Sequence, residues 1–294
     1  MENKTVFTGA GVAIVTPMNA DGTVNYERFR AFVEWQVQNG TDAIIACGTT
    51  GESATLDHEE HVRVIRAAVE QVAGRVPVIA GTGSNDTAYA IALSKEAQAA
   101  GADALLLVTP YYNKTSQRGL IAHFTAVADA VELPIILYNV PSRTGVTIQP
   151  ETVIELARHP RIVGIKEASG NLSAVAKIAA GCAIDIYSGN DDQIVPILSL
   201  GGKGVISVLS NVAPRVAHDI CAKYLNGDPD GSRALQLEYL DLCNALFCDV
   251  NPIPVKEALN RMGQNVGPCR LPLYEMDDKG KAAVEAALKA HGLI

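Results

Sequence analysis

Eight short apolar runs recur along this chain, and each is followed by a loop and then by a stretch with helical spacing. They cover 11–15, 43–46, 76–80, 104–108, 135–138, 162–165, 183–187 and 204–208. The runs are continuous rather than alternating, as suits a parallel sheet buried on both faces. The intervening segments carry helix signals. Asp57 reads as an N-cap with Glu60 three residues on, ahead of Val62, Val64, Ile65 and Val69. A second helix opens at Asn85-Asp86-Thr87 and is closed by Gly101. Eight strand–helix units with no dinucleotide fingerprint predict an α/β fold, a closed (β/α)8 TIM barrel, rather than a doubly wound sheet. About 80 residues follow the eighth run, with helical patterns at 235–246, 255–262 and 279–290. The expected organisation is a barrel domain at 1–225 and a C-terminal helical extension at 226–294.

Composition narrows the partners. With 48% hydrophobic and 19% charged residues, a large core is available and disorder is not expected. The net charge of -8 offers no basic stripe for nucleic acid. The six cysteines form no C-x-x-C pair, which argues against a zinc ribbon or thioredoxin-like motif. No signal peptide and no membrane-spanning apolar run is read, so a cytoplasmic location is expected.

In barrels of this kind the site lies at the carboxyl ends of the strands. The residues there are Thr16, the loop Gly48-Thr49-Thr50-Gly51-Glu52, Gly81-Thr82-Gly83, Thr109-Pro110-Tyr111-Tyr112, Tyr138 with Arg143, Lys166, Ser188-Gly189-Asn190 and Ser207. This ring offers hydroxyls, exposed backbone amides, one lysine and one arginine. It holds no histidine, carboxylate pair or metal set, and no metal or other cofactor is expected. Neutral donors suit a small carboxylate, and a neutral lysine amine forms a Schiff base with a carbonyl. The set fits Schiff-base chemistry on a 2-oxo acid better than hydrolysis or phosphoryl transfer.

Each element also has a plainer reading. Lys166 could be an ion-paired lysine, with Glu167 as partner. The Gly48–Gly51 segment could be a helix-capping turn, Tyr111-Tyr112 and Tyr138 packing residues, and Arg143 a solvated loop residue. Gly81-Thr82-Gly83 is a weak phosphate-loop match without its lysine. His58 and His61, three apart, read as a solvated helix face rather than a metal pair.

Taken together, Gly48-Thr49-Thr50-Gly51-Glu52-Ser53, Thr109-Pro110-Tyr111-Tyr112-Asn113, Tyr138-Asn139-Val140-Pro141-Ser142-Arg143-Thr144-Gly145, Gly164-Ile165-Lys166-Glu167-Ala168 and Asn251-Pro252-Ile253-Pro254-Val255-Lys256 resemble the dihydrodipicolinate synthase family, within the N-acetylneuraminate lyase superfamily. The likeness runs nearly end to end. It implies that Lys166 condenses with pyruvate, and that the resulting enamine attacks L-aspartate 4-semialdehyde to give 4-hydroxy-tetrahydrodipicolinate, on the diaminopimelate and lysine route. It implies a proton relay of Thr49, Tyr138 and Tyr112, with Tyr112 crossing a subunit interface. The expected assembly is therefore a homotetramer, a dimer of dimers. Thr49 and Thr50 would hold the pyruvate carboxylate, Gly189 and Ile206 would line the site with backbone, and Arg143 would bind the semialdehyde carboxylate. Ser53, Ala54, Leu56, His58, His61, Asn85 and Tyr111 fit a possible allosteric lysine site. Tyr89 stands where regulated members carry a glutamate, so lysine inhibition is expected to be weak or absent. The alternatives are a related pyruvate-dependent aldolase acting on a 2-oxo sugar acid, against which Arg143 and the Gly-Thr-Thr-Gly-Glu loop speak, and a non-catalytic 2-oxo acid sensor, which would be expected to lack a relay residue.

Overall fold

The structure, a computed structural model, describes residues 5–294. Strands β1 (Gly9–Ala13), β2 (Ala43–Ala46), β3 (Val78–Gly81), β4 (Ala104–Val108), β5 (Ile135–Asn139), β6 (Ile162–Glu167), β7 (Asp185–Ser188) and β8 (Gly204–Ser207) close into a parallel barrel in chain order. The seam is β1 paired with β8, Gly9 against Gly204 through Val12 against Ser207. Around the strands run α1 (Tyr26–Gln38), α2 (His58–Val72), α3 (Thr87–Ala99), α4 (Gln117–Asp129), α5 (Pro141–Thr144), α6 (Pro150–Leu156), α7 (Leu172–Gly181), α8 (Ile194–Ser199) and α9 (Pro214–Leu225). Then follow α10 (Pro229–Glu238), α11 (Leu240–Ala245), α12 (Ile253–Arg261) and α13 (Asp278–Ala290). No helix of the described residues is long and apolar enough to cross a membrane.

Alternation along each strand divides the core in two. Ile45, Ile79, Leu106, Ile136, Tyr138 and Ile206 share the barrel interior with Phe7 and Tyr187. Ile44, Val78, Leu105, Leu107, Leu137 and Ile165 face outward into the layer shared with the helices. Phe7, just ahead of β1, stacks on Tyr187 at 4.4 Å and accepts its hydroxyl proton at 2.7 Å. One end of the barrel interior is thus filled with side chains.

The helix signals act as their chemistry predicts. Asp57 and Glu60 form a reciprocal capping box at the start of α2, and Asp86 caps α3. Strand bounds differ from the expected ones by up to two residues, and β6 runs on through Lys166 to Glu167. The pattern at 235–246 is two helices rather than one, broken at Tyr239 (φ -95, ψ 10). Tyr239 stacks on His291 at 4.2 Å, and His291 pairs with Asp241 at 2.8 Å. Packing against the chain end overrides local periodicity there.

Candidate active site

β6 ends in two charged residues that face opposite ways. Ile165 packs outward, so Lys166 points into the barrel, and it is only 6% exposed. Its register partner on β5 is Tyr138, and its Nζ stands 4.3 Å from the centre of that ring. Glu167 points outward and accepts from Asn139 Nδ2 at 2.9 Å and from the Ser169 amide at 2.7 Å. The ion pair with Glu167 considered from the sequence is therefore not formed. Among the described residues no carboxylate lies within ion-pair distance of Lys166.

Space beside Lys166 is kept open by Gly189. A Cβ on Gly189 would stand 3.1 Å from Lys166 Cε and 2.6 Å from Ala168 Cβ. A side chain there would displace the amine. The Gly189 amide is tied to the Glu167 carbonyl at 2.8 Å, which fixes the turn after β7. Ile206 is fully buried inside the barrel on β8. Next in the chain after this turn comes Asp191, also buried, whose Oδ2 accepts from the Val208 and Leu209 amides at 3.0 and 2.9 Å. Burial pushes its carboxyl up, against the pull of Ser207, these two amides and the Lys166 ammonium. Sequence reading missed Asp191, because Ser-Gly-Asn-Asp-Asp looks like an ordinary polar loop.

The loop after β2 is held from below and from outside. Thr16 Oγ1 donates to the Gly51 carbonyl at 2.7 Å. Glu52 adopts a left-handed conformation, φ 58, and is buried. Its Oε1 meets Lys256 Nζ of α12 at 2.7 Å, and its Oε2 accepts from the Arg270 amide at 2.8 Å. Lys256, 2% exposed, also donates to the carbonyls of Thr16 and Pro268. Thr49 and Tyr138 line one small void of about 30 Å³ together with Gly48, Gly81 and Val108. The Gly81-Thr82-Gly83 segment is no phosphate loop. A Cβ on Gly81 would lie 2.3 Å from the Cys47 carbonyl, so glycine is needed for close packing of β3 against β2. Thr82 Oγ1 is spent on Ser94 Oγ at 2.8 Å.

Asn251, just before α12, reaches two of the three carboxylate-handling candidates, Thr50 and Arg143. Its Nδ2 donates to Thr50 Oγ1 at 3.0 Å, and its backbone carbonyl accepts from Arg143 at 3.1 Å. The motif 251–256 was visible in the sequence, but its two contacts, Asn251 on the site and Lys256 beneath the loop, were not. Arg143 is exposed at the end of α5 and pairs with no carboxylate among the described residues. It shares a cleft of about 460 Å³ with Thr49, Val140, Asn251 and Tyr111.

Five of the seven possible allosteric residues, Ser53, Ala54, Leu56, His61 and Tyr111, line the same cleft, as does Tyr89. Asn85 stands at its edge, donating to the Tyr111 carbonyl at 3.1 Å. His58 and Tyr89 touch at 3.4 Å, and His58 Nε2 pairs with Glu96 at 2.9 Å. His61 is not on a solvated face, as the sequence suggested. It is buried, Nε2 donates to the Gly81 carbonyl at 2.8 Å, and burial pushes its pKa down. Tyr112 is 91% exposed at φ 69 and outside the cleft lining. A bulky residue held left-handed at a loop tip is an outlier that calls for an explanation.

Comparison with known proteins bears on this geometry. Residues 6–291 match the model of the dihydrodipicolinate synthetase family. A 4-hydroxy-tetrahydrodipicolinate synthase of Lachnoclostridium phytofermentans is 61% identical over 292 residues, covering 98% of this chain and 99% of that protein. A dihydrodipicolinate synthase of Acinetobacter baumannii, solved as a complex with pyruvate, superposes with a TM-score of 0.96 at 46% identity, over 99% of this chain and 100% of that one. The enzyme of Cyanidioschyzon merolae, solved with lysine bound, superposes with a TM-score of 0.97 at 42% identity, over 99% of this chain and 100% of that one. On its full-length match and on the buried, unpaired lysine at the carboxyl end of β6, the chain belongs to the dihydrodipicolinate synthetase family of enzymes.

Proposed function

We propose that this enzyme condenses pyruvate with L-aspartate 4-semialdehyde, through a Schiff base on Lys166, to give 4-hydroxy-tetrahydrodipicolinate in diaminopimelate and lysine biosynthesis. The observation that carries the reading is Lys166 itself: buried, with no carboxylate partner among the described residues, and set over the Tyr138 ring. Its Nζ attacks the pyruvate ketone, and loss of water gives an imine. Loss of a methyl proton then gives the enamine, whose carbon attacks the aldehyde. The substrate's own amine closes the ring and frees the lysine. Thr49 and Tyr138, which share a void, pass protons, with Tyr112 of a second copy completing the relay. Thr49 and Thr50 receive the pyruvate carboxylate, while the backbone at Gly189 and Ile206 shapes the floor. Arg143 at the mouth takes the semialdehyde carboxylate through its planar fork.

The exposure and left-handed backbone of Tyr112 support an assembly of at least two copies, arranged as a tetramer of two dimers. In this reading residues 1–225 carry the chemistry and 226–294 brace it. Six free cysteines fit a reducing cytoplasm. Tyr89 offers a neutral hydroxyl, already beside His58, where an effector ammonium would want a carboxylate, and this favours weak lysine control. An inhibition curve with a half-maximal effect at sub-millimolar lysine would overturn that point.

The test of the reaction is to supply pyruvate with either aldehyde class and identify products by mass spectrometry. Cyclic product from aspartate 4-semialdehyde is expected. Turnover of a sugar aldehyde alone would favour a sugar-acid aldolase.

A further inference from the structure

We infer that Asn251 of the extension is a positioning residue that aims the Thr50 hydroxyl proton at the carboxylate of the bound 2-oxo acid. The inference rests on the reading of Thr50 as a pyruvate-carboxylate donor given above. A hydroxyl has one proton to give and two lone pairs to receive. Asn251 Nδ2 donates to Thr50 Oγ1 at 3.0 Å, filling a lone pair. The Thr50 proton is thereby left for another acceptor, and among the described residues its hydroxyl donates to none. Both side chains are buried, so the hydrogen bond between them is little weakened by solvent.

Asn251 is well placed for the task. Its Nδ2 is the side-chain atom turned to Thr50, and its buried Oδ1 meets no donor among the described residues. Its carbonyl simultaneously holds an Arg143 N–H at 3.1 Å. One residue from outside the barrel thus touches a donor for each substrate carboxylate. An aspartate at 251 keeps the shape but only accepts. It would take the Thr50 proton and set an anion near the pyruvate carboxylate.

The experiment measures half-saturation for borohydride-trapped adduct with pyruvate and with methyl pyruvate, whose ester is not an anion. Asn251→Asp and Asn251→Ala are each compared in the wild-type and Thr50→Val backgrounds. Asn251→Asp is expected to raise the pyruvate value about tenfold or more relative to the ester, the scale of a charge-assisted hydrogen bond. Asn251→Ala is expected to raise it about threefold, the loss of a neutral one. The Asn251→Ala effect should vanish when Thr50 is valine, and the Asn251→Asp effect should shrink to the part owed to its added charge. An unchanged ratio, or an Asn251→Ala effect that persists in full in Thr50→Val, overturns the inference. Should Asn251→Asp not fold, Asn251→Ala decides by the same criteria. Absence of any adduct in the wild-type protein would instead overturn the Schiff-base reading itself.

Discussion

Two lysines are buried among the described residues, and they live in opposite surroundings. Lys256 is 2% exposed and fully occupied: its ammonium meets Glu52 at 2.7 Å and the carbonyls of Thr16 and Pro268. Lys166 is 6% exposed, has no carboxylate within ion-pair distance among the described residues, and faces an aromatic ring and a gap that Gly189 leaves open. Burial alone therefore does not mark a reactive amine. A buried lysine whose donors are all taken is a structural pin, whereas one without such partners can release a proton and use the nitrogen lone pair as a nucleophile. The pin bears on the proposed nucleophile at one remove, since Glu52 and Asn251 tie the Thr49-Thr50 loop to the C-terminal helices.

Substitutions can break that contrast. Lys166→Met should produce the largest change in activity, a loss of about 10³-fold or more, because it removes the nucleophile. Its melting temperature should hold or rise, since no ion pair is broken. Lys256→Met should do the reverse. It leaves the Glu52 carboxylate buried without its cation, at about 3–5 kcal/mol, a drop of roughly 5–15 °C in melting temperature. Adduct formation at saturating pyruvate should survive in the molecules that remain folded. The smallest effect is the most discriminating. Adding Glu52→Gln to Lys256→Met should recover about 1–2 kcal/mol by removing the stranded charge, with thermal melts as the readout. If the double variant is no more stable than the single, the loop is held by something other than this pair.

The barrel was legible because its signal repeats. Eight continuous apolar runs, each with a loop and a helix, leave few architectures, and capping residues such as Asp57 and Asp86 locate the helix starts directly. The placement of Lys166, Thr49, Tyr138 and Arg143 at the carboxyl-end rim was legible because it follows from where the strands end. What escaped was contact across long stretches of chain. Asn251 meets Thr50 across 201 residues, and Lys256 meets Glu52 across 204. The burial of His61 depends on the Gly81 carbonyl, and the break at Tyr239 on stacking with His291. No local pattern encodes such pairings. Facing of side chains was partly legible: alternation alone sends Lys166 and Glu167 to opposite sides of β6, once β6 is known to continue through both.

The most direct measurement incubates the native protein with pyruvate, reduces with borohydride and maps the adduct by peptide mass spectrometry. The account predicts one modified lysine, Lys166, with Lys256 untouched even at long exposure. Modification of Lys256, or a folded protein with no adduct on Lys166, would contradict it.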